Sequence, residues 1–233
     1  MTDVHVIGFA GPDGSGKSTL LQATATHARG EGLRVCTIYL YGCIVCRHGR
    51  PPRRLSNAVS GRGTIALETP EKASRLPPSL LQRLHAHADT TELALRLKIA
   101  IWRIGRKHSS ERSPALLLTD RTPLDALVKH DLPEDAFAMR RLQRLLRQFT
   151  TVVLLDARGD VLSQRDGEHT TRGLELTRTS YQRWSTGRPT VQALPTLGRS
   201  SQQLARALIA AIRNRDTDSE GRAAIDGSGP AGA

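Results

Sequence analysis

The sequence predicts a three-layer α/β fold in which a parallel sheet of about five strands is flanked by helices. Three observations point there. The apolar run Val4-His5-Val6-Ile7-Gly8-Phe9-Ala10 ends in a Gly-rich turn and passes straight into a helix-forming segment. Strand-like and helix-like patterns then alternate along the chain, as successive βα units require. Finally, 233 residues with 38% hydrophobic and 24% charged side chains fit one decorated domain with an ordinary core, and exclude a wholly disordered chain. No stretch approaches the roughly 18 consecutive apolar residues of a membrane span, so no membrane partner is expected. The first residues, Met1 to His5, lack the basic and apolar regions of a secretory signal.

Residues 4–10 read as the first strand, and Ser18 to Ala25 as the start of a helix that Gly30 and Gly32 stop. Arg34 to Leu40 carries the β-branched residues of a second strand, completing a βαβ unit. From Gly42 to Pro78 periodicity is lost among prolines and glycines, which marks a loop or insertion. It is basic: between Gly42 and Asp89 eight basic residues face three acidic ones. Ser79 to Lys107 predicts a long helix, with Leu80, Leu84, Leu93, Leu97, Ile101 and Ile104 forming its apolar stripe. Trp102 is expected to pack into the core with that stripe. Pro114 to Asp120 reads as a buried strand, Leu132 to Thr150 as an amphipathic helix with Arg140, Arg141, Arg144 and Arg147 on its solvated side, and Thr151 to Asp156 as another strand. A helical region over 160–184, interrupted near Asp166-Gly167, precedes a weak strand over 190–194 and a closing helix over 200–213. The expectation is a single domain over 1–213 and a disordered polar tail over 214–233.

The net charge of +12 is compatible with an anionic partner such as nucleic acid, a membrane surface or a phosphorylated small molecule, but 29 of the 34 basic residues are Arg, a bias that genome composition also produces, so the charge alone decides nothing. Nucleic acid is not favoured, because aromatics are only 3% of the chain and offer few stacking platforms. Cys36, Cys43 and Cys46 are too few and too clustered for a disulfide framework, which fits a reducing, cytoplasmic setting. Cys43, Cys46 and His48 have the spacing of half a zinc site, but no second Cys/His pair follows, and ordinary loop thiols are the expectation.

The segment Gly11-Pro12-Asp13-Gly14-Ser15-Gly16-Lys17-Ser18 matches G-x-x-x-x-G-K-[ST] between a predicted strand and a predicted helix, which is the context that motif needs. Glycines let successive backbone N–H groups turn inward around a phosphate, and the helix that follows adds its positive end. In such a P-loop Lys17 reaches the β- and γ-phosphates of ATP and Ser18 ligates Mg2+. The loop predicts a P-loop NTPase fold but does not choose between kinases and other nucleotidases. An Asn-Lys-x-Asp base-reading motif is absent, which argues against a GTPase, and the strand-end pair Asp120-Arg121 favours a small kinase.

The P-loop with Thr19 after it, the run Asp120-Arg121-Thr122-Pro123-Leu124-Asp125, and the run from Leu155-Asp156 to Arg165 together resemble the thymidylate kinase family of nucleoside monophosphate kinases. The resemblance spans about Val4 to Arg213 and covers Gly42 to Pro78 poorly. It implies ATP and Mg2+ as cofactors and a nucleoside monophosphate as acceptor. Gly11, Asp13, Gly14, Ser15, Gly16, Lys17, Ser18 and Thr19 would bind the donor nucleotide. Asp13 would also contact an acceptor sugar hydroxyl, Asp120 would join Ser18 at the metal, and Arg121 would bind the acceptor phosphate. Arg165, nine residues after Asp156, and Arg172 would be supplied by a mobile lid, the family arrangement that accompanies Gly14 in the loop. A homodimer is compatible with this reading.

The departures lie on the acceptor side. Where the family commonly has Tyr and, three residues on, a small hydroxyl residue, this chain has Thr122 and Asp125. The family's Arg-Glu-Pro-Gly turn is replaced by Tyr41 to His48, and the acceptor-phosphate arginine of the long helix is either Arg96 or Arg103. Two alternatives therefore stay open: a kinase of the same fold acting on a nucleoside, sugar or other small metabolite, and a regulatory P-loop ATPase whose basic loop engages nucleic acid.

Overall fold

The computed structural model describes residues 4–40, 80–107, 115–166, 170–195 and 199–226. Five strands, β1 (Val4–Ala10), β2 (Arg34–Tyr39), β3 (Ala115–Asp120), β4 (Thr151–Asp156) and β5 (Val191–Pro195), form one sheet. Its order is β2-β3-β1-β4-β5, and every pairing is parallel. The helices are α1 (Lys17–Gly30), α2 (Leu80–Lys107), α3 (Pro123–His130), α4 (Phe137–Leu146), α5 (Gly159–Asp166), α6 (Thr171–Ser185) and α7 (Ser201–Asp226). This is the expected P-loop NTPase-like three-layer architecture.

The central strands carry continuous apolar stretches rather than alternating ones, Val6 to Ala10, Ala115 to Leu118 and Val152 to Leu155, because both of their faces are covered. Ile7 and Phe9 of β1, Leu116 and Leu118 of β3, and Val153 and Leu155 of β4 pack against Leu20, Leu21 and Ala25 of α1 and Leu204, Leu208 and Ile212 of α7. Their strand neighbours Val6, Leu117, Val152 and Leu154 point the other way, onto Leu93 and Leu97 of α2, Leu124 and Leu127 of α3, Leu142 of α4 and Trp184 of α6. Each large side chain buried this way contributes about 1.5–3 kcal/mol relative to leaving it in water. On β1 the backbone of Gly8 approaches α3 and Phe149 so closely that a Cβ there would lie 2.4 Å from Thr122 Cγ2 and 2.8 Å from Phe149 Cε1.

Several elements differ from the sequence reading. The helix α3 has no counterpart in it, although Thr122-Pro123-Leu124-Asp125 carries the signature: proline at the first helical position and a reciprocal capping box between Thr122 and Asp125. The amphipathic helix expected over 132–150 is confined to Phe137–Leu146, because Ala136 N bonds Pro133 O in a turn before it and Phe149 N bonds Leu146 O in a turn after it. Of its four arginines, Arg140, Arg144 and Arg147 are exposed as expected, while Arg141 is half-buried and donates from Nη1 to Thr91 Oγ1 of α2 at 3.3 Å; Met139, Leu142, Leu145 and Leu146 are buried. On α2 the stripe is buried only from Ala86 onward. Leu80 and Leu84 are exposed, and Trp102 is 56% exposed with the Arg106 guanidinium over its ring rather than packed in the core. The closing helix, expected over 200–213, runs by its backbone from Ser201 to Asp226. The basic Gly42 to Pro78 segment, with Cys43, Cys46 and His48, lies outside the described residues. Among the described residues no helix is long and apolar enough to cross a membrane.

Candidate active site

In a parallel sheet the loops at the strand C-termini share one end, and ligands bind there where the strand order reverses. The loop after β1 and the turn after β3 meet at that end. Gly11 (φ +142°), Gly14 (φ +76°) and Gly16 (φ +93°) take backbone conformations that L side chains rarely adopt. A Cβ on Gly11 would in addition lie 2.8 Å from Leu155 O. Gly16 caps α1 with no side-chain hydrogen bond, and no acidic residue occupies the first turn. The helix therefore presents its first N–H groups and the positive end of its dipole to the loop. Ser15 is buried there, and its Oγ has no hydrogen-bond partner among the described residues.

Lys17 is buried, and its Nζ donates to Gly11 O at 2.8 Å and Pro12 O at 2.6 Å, with Asp13 Oδ1 at 3.5 Å. Burial and the nearby Arg121 charge push its pKa below the ordinary lysine value, against the pull of Asp125, Asp13 and Asp120. One residue on, Ser18 Oγ donates to Asp120 Oδ2 at 2.8 Å, which joins the N-terminus of α1 to the C-terminus of β3. A hydroxyl beside a carboxylate is the hard oxygen pair that suits Mg2+.

Arg121 leaves β3 in the left-handed region (φ 72°), with Thr119 Oγ1 donating to its carbonyl at 3.1 Å. That turn sends its guanidinium back across the loop, where Nη2 donates to Asp13 Oδ1 and Nη1 lies 3.6 Å from Asp125 Oδ1. Burial works against the Asp13 carboxylate, but the Arg121 and Lys17 cations outweigh it and hold its pKa below the usual aspartate value. Burial likewise disfavours the Arg121 cation, yet Asp125 and Asp13 more than compensate and raise its pKa.

Asp125 is 4% exposed. Its Oδ2 accepts from Thr122 N at 2.7 Å and Thr122 Oγ1 at 2.9 Å, and its Oδ1 accepts from Tyr181 OH at 2.7 Å. Burial pushes its pKa up, opposed by Arg121 and Tyr181, and every partner is a donor, as an ionised carboxylate needs. After β4, Asp156 is gripped by Arg178 of α6, whose Nη2 donates to Oδ2 at 3.0 Å and whose Nε donates to Oδ1; these bonds hold the Asp156 pKa down.

A cleft of about 450 Å³, within the usual range for a small-molecule site, is lined by Asp13, Gly14, Gly16, Lys17, Ser18, Thr19, Tyr39, Asp120 and Arg121. All of these except Tyr39 belong to the P-loop segment or the Asp120-Arg121 pair, the two motifs expected to form the site. The residues fit a nucleotide phosphate with Mg2+ on three counts: the left-handed glycines, the buried Ser15 hydroxyl with no partner among the described residues, and the Ser18–Asp120 pair. Arg172 is exposed at the start of α6 and does not line the cleft. Arg165 lies on α5 by its backbone, and its side chain is outside the described set. Of the two helix arginines, Arg96 reaches the site's edge, donating from Nη1 to Tyr39 O at 3.3 Å and pairing with Glu92, while Arg103 is exposed. Tyr39 in the cleft, and Arg178 and Tyr181 behind it, are residues that the sequence reading misses; Asp125 it marks as an acceptor-side departure, without the contacts that Asp125 makes. Only Asp125 has a local signal, the capping box; the others are brought in by pairings across the fold. No family model and no curated protein matches the chain.

Proposed function

We propose that the protein is an ATP-dependent phosphotransferase of thymidylate kinase type, moving the γ-phosphoryl group of ATP to a nucleoside monophosphate to give the diphosphate. The observation that carries this reading is the convergence, on one cleft, of the P-loop lysine, the Ser18–Asp120 oxygen pair and the forked Arg121 cation facing Asp13. Phosphoryl transfer asks little covalent chemistry of a protein; it needs reactants aligned and the charge on the migrating group stabilised. The loop N–H groups and Lys17 would hold the donor phosphates. Ser18 and Asp120 would hold Mg2+, which when bound offsets charge on the phosphate oxygens. Arg121 would draw the acceptor toward the loop, and Asp13 would accept a hydrogen bond from an acceptor hydroxyl.

One observation favours a second acceptor class. Arg121 already faces two carboxylates, Asp13 and Asp125. Such a cation has less charge left for an acceptor phosphate than an unpaired one, which suits a neutral nucleoside or sugar. ADP release from Mg-ATP across monophosphates, nucleosides, phosphorylated and free sugars, and single-stranded nucleic acid separates the readings. Stimulation by dTMP or another monophosphate, with the diphosphate identified by mass, supports the first; a response only to unphosphorylated acceptors supports the second. Stimulation by nucleic acid alone, lost with salt, overturns both in favour of a regulatory ATPase.

Arg121→Ala is expected to raise the acceptor KM and lower kcat, each about tenfold, with the KM for ATP within about twofold. Its removal leaves Asp125 buried without its cation, so Arg121→Lys, which keeps the charge but not the fork, is measured beside it together with thermal melting. Unchanged acceptor kinetics in both variants removes Arg121 from the site.

A further inference from the structure

A capping box needs one carboxylate oxygen, and Asp125 uses Oδ2 alone for that purpose, accepting from Thr122 N and Thr122 Oγ1. Its other oxygen is committed elsewhere. Oδ1 lies 3.6 Å from Arg121 Nη1 and accepts from the hydroxyl of Tyr181, a buried residue of α6 that is 56 positions further along the chain. With both oxygens engaged the carboxylate cannot rotate, and an arginine at the mouth of a cleft would otherwise sample many rotamers.

We propose that Asp125 and Tyr181 are positioning residues for Arg121: Tyr181 fixes the orientation of Asp125, and Asp125 holds one side of the guanidinium so that the other faces Asp13 and the cleft. This rests on the phosphotransferase reading for its kinetic consequences but not for its geometry. The same face of α6 makes a second anchor, because Arg178, three residues before Tyr181, grips Asp156 at the end of β4. One helix thus ties down the turns that follow two strands, and among the described residues the Tyr181 hydroxyl makes the hydrogen bond from α6 to the carboxylate that faces Arg121. Asp125 is also where the chain departs from the thymidylate kinase pattern it resembles, and this arrangement supplies that departure with a role.

Tyr181→Phe removes the hydroxyl and keeps the ring in the core. The arginine side-chain NMR signals of the full chain are recorded without ligand, with the Arg121 signal identified by its loss in Arg121→Lys. The proposal expects that signal to be distinct in the native protein and to broaden or move to the position of mobile arginines in Tyr181→Phe and Asp125→Asn. An unmoved Arg121 signal in Tyr181→Phe overturns it. With Mg-ATP and dTMP or thymidine as probes, Tyr181→Phe should raise the acceptor KM and lower kcat by about tenfold in kcat/KM while the KM for ATP stays within about twofold. The double variant Asp125→Asn/Tyr181→Phe should be no worse than Asp125→Asn alone, since both act through one path. A lowered melting temperature with unchanged kinetics, or kinetic losses that add in the double variant, marks a merely structural pair and also overturns the proposal. If the native protein turns over neither probe, the proposed acceptor class is at fault and the NMR result alone decides the positioning role.

Discussion

Lys17→Ala is expected to lower acceptor-stimulated turnover of Mg-ATP about a thousandfold, at a melting temperature close to that of the native protein. The magnitude follows from charge and burial. Two unit charges about 4 Å apart at an effective dielectric of about 20 attract by about 4 kcal/mol, and an interaction of that size realised mainly in the transition state is worth about three decades in rate. Lys17 is 6% exposed, and the loop carbonyls of Gly11 and Pro12 hold its ammonium within the P-loop, where donor phosphates would sit. Its removal costs the fold little, because Arg121 still pairs with Asp13 and the left-handed glycines still shape the loop. Lys17→Met, which preserves the volume of the aliphatic stem, separates charge from packing and should be as inactive as the alanine variant. Turnover of either variant within about threefold of native would sink the P-loop as the seat of the chemistry.

How far the fold can be read from the chain depends on whether the deciding interactions are local. The run from Val4 to Ser18 holds a strand, a glycine loop and a helix start within one window, and β3 and β4 carry the four-residue apolar runs Ala115 to Leu118 and Val152 to Leu155 because both faces are buried there. Such patterns are visible without partners. The site divides along the same line. The loop residues and Asp120-Arg121 are contiguous motifs, whereas Arg178 meets Asp156 across 22 residues and Tyr181 meets Asp125 across 56, and nothing in local spacing announces either pairing. The helix α3 is a different case, since Thr122, Pro123 and Asp125 spell its start; its shortness, eight residues, gives the apolar period too little room to show. Trp102 adjoins the apolar stripe at Ile101, yet it lies at the solvent edge of α2, where Arg106 rather than the core covers its ring. Periodicity assigns that helix correctly but not the width of its buried face.

Gly8→Ala should destabilise the protein by about 3 kcal/mol, the upper part of the range for overpacking a core, and lower the melting temperature by roughly 6–12 °C for a chain of this size. Gly8 lies in the middle of β1, where glycine is ordinarily a weakness. Here its missing side chain is what lets α3 sit against the sheet. An added methyl would fall 2.4 Å from Thr122 Cγ2 and 2.8 Å from the Phe149 ring, and neither neighbour can yield cheaply. Phe149 is 2% exposed and hemmed in by the core. Thr122 is fully buried, and turning its Cγ2 away would swing Oγ1 off Leu124 N and Asp125 Oδ2, dissolving the cap of α3. Because Thr122 follows Arg121 and bonds Asp125, the strain enters the cleft as well as the core, and acceptor kinetics should suffer beyond what the loss of stability explains. Gly105→Ala is the matched control: it lies on α2, an added Cβ there would meet nothing within 4 Å, and replacing a helical glycine in such a place should stabilise by about 0.5–1 kcal/mol. Opposite signs for the two substitutions in urea unfolding are the expected result; a neutral Gly8→Ala would mean that α3 does not press on β1 as closely as these distances require.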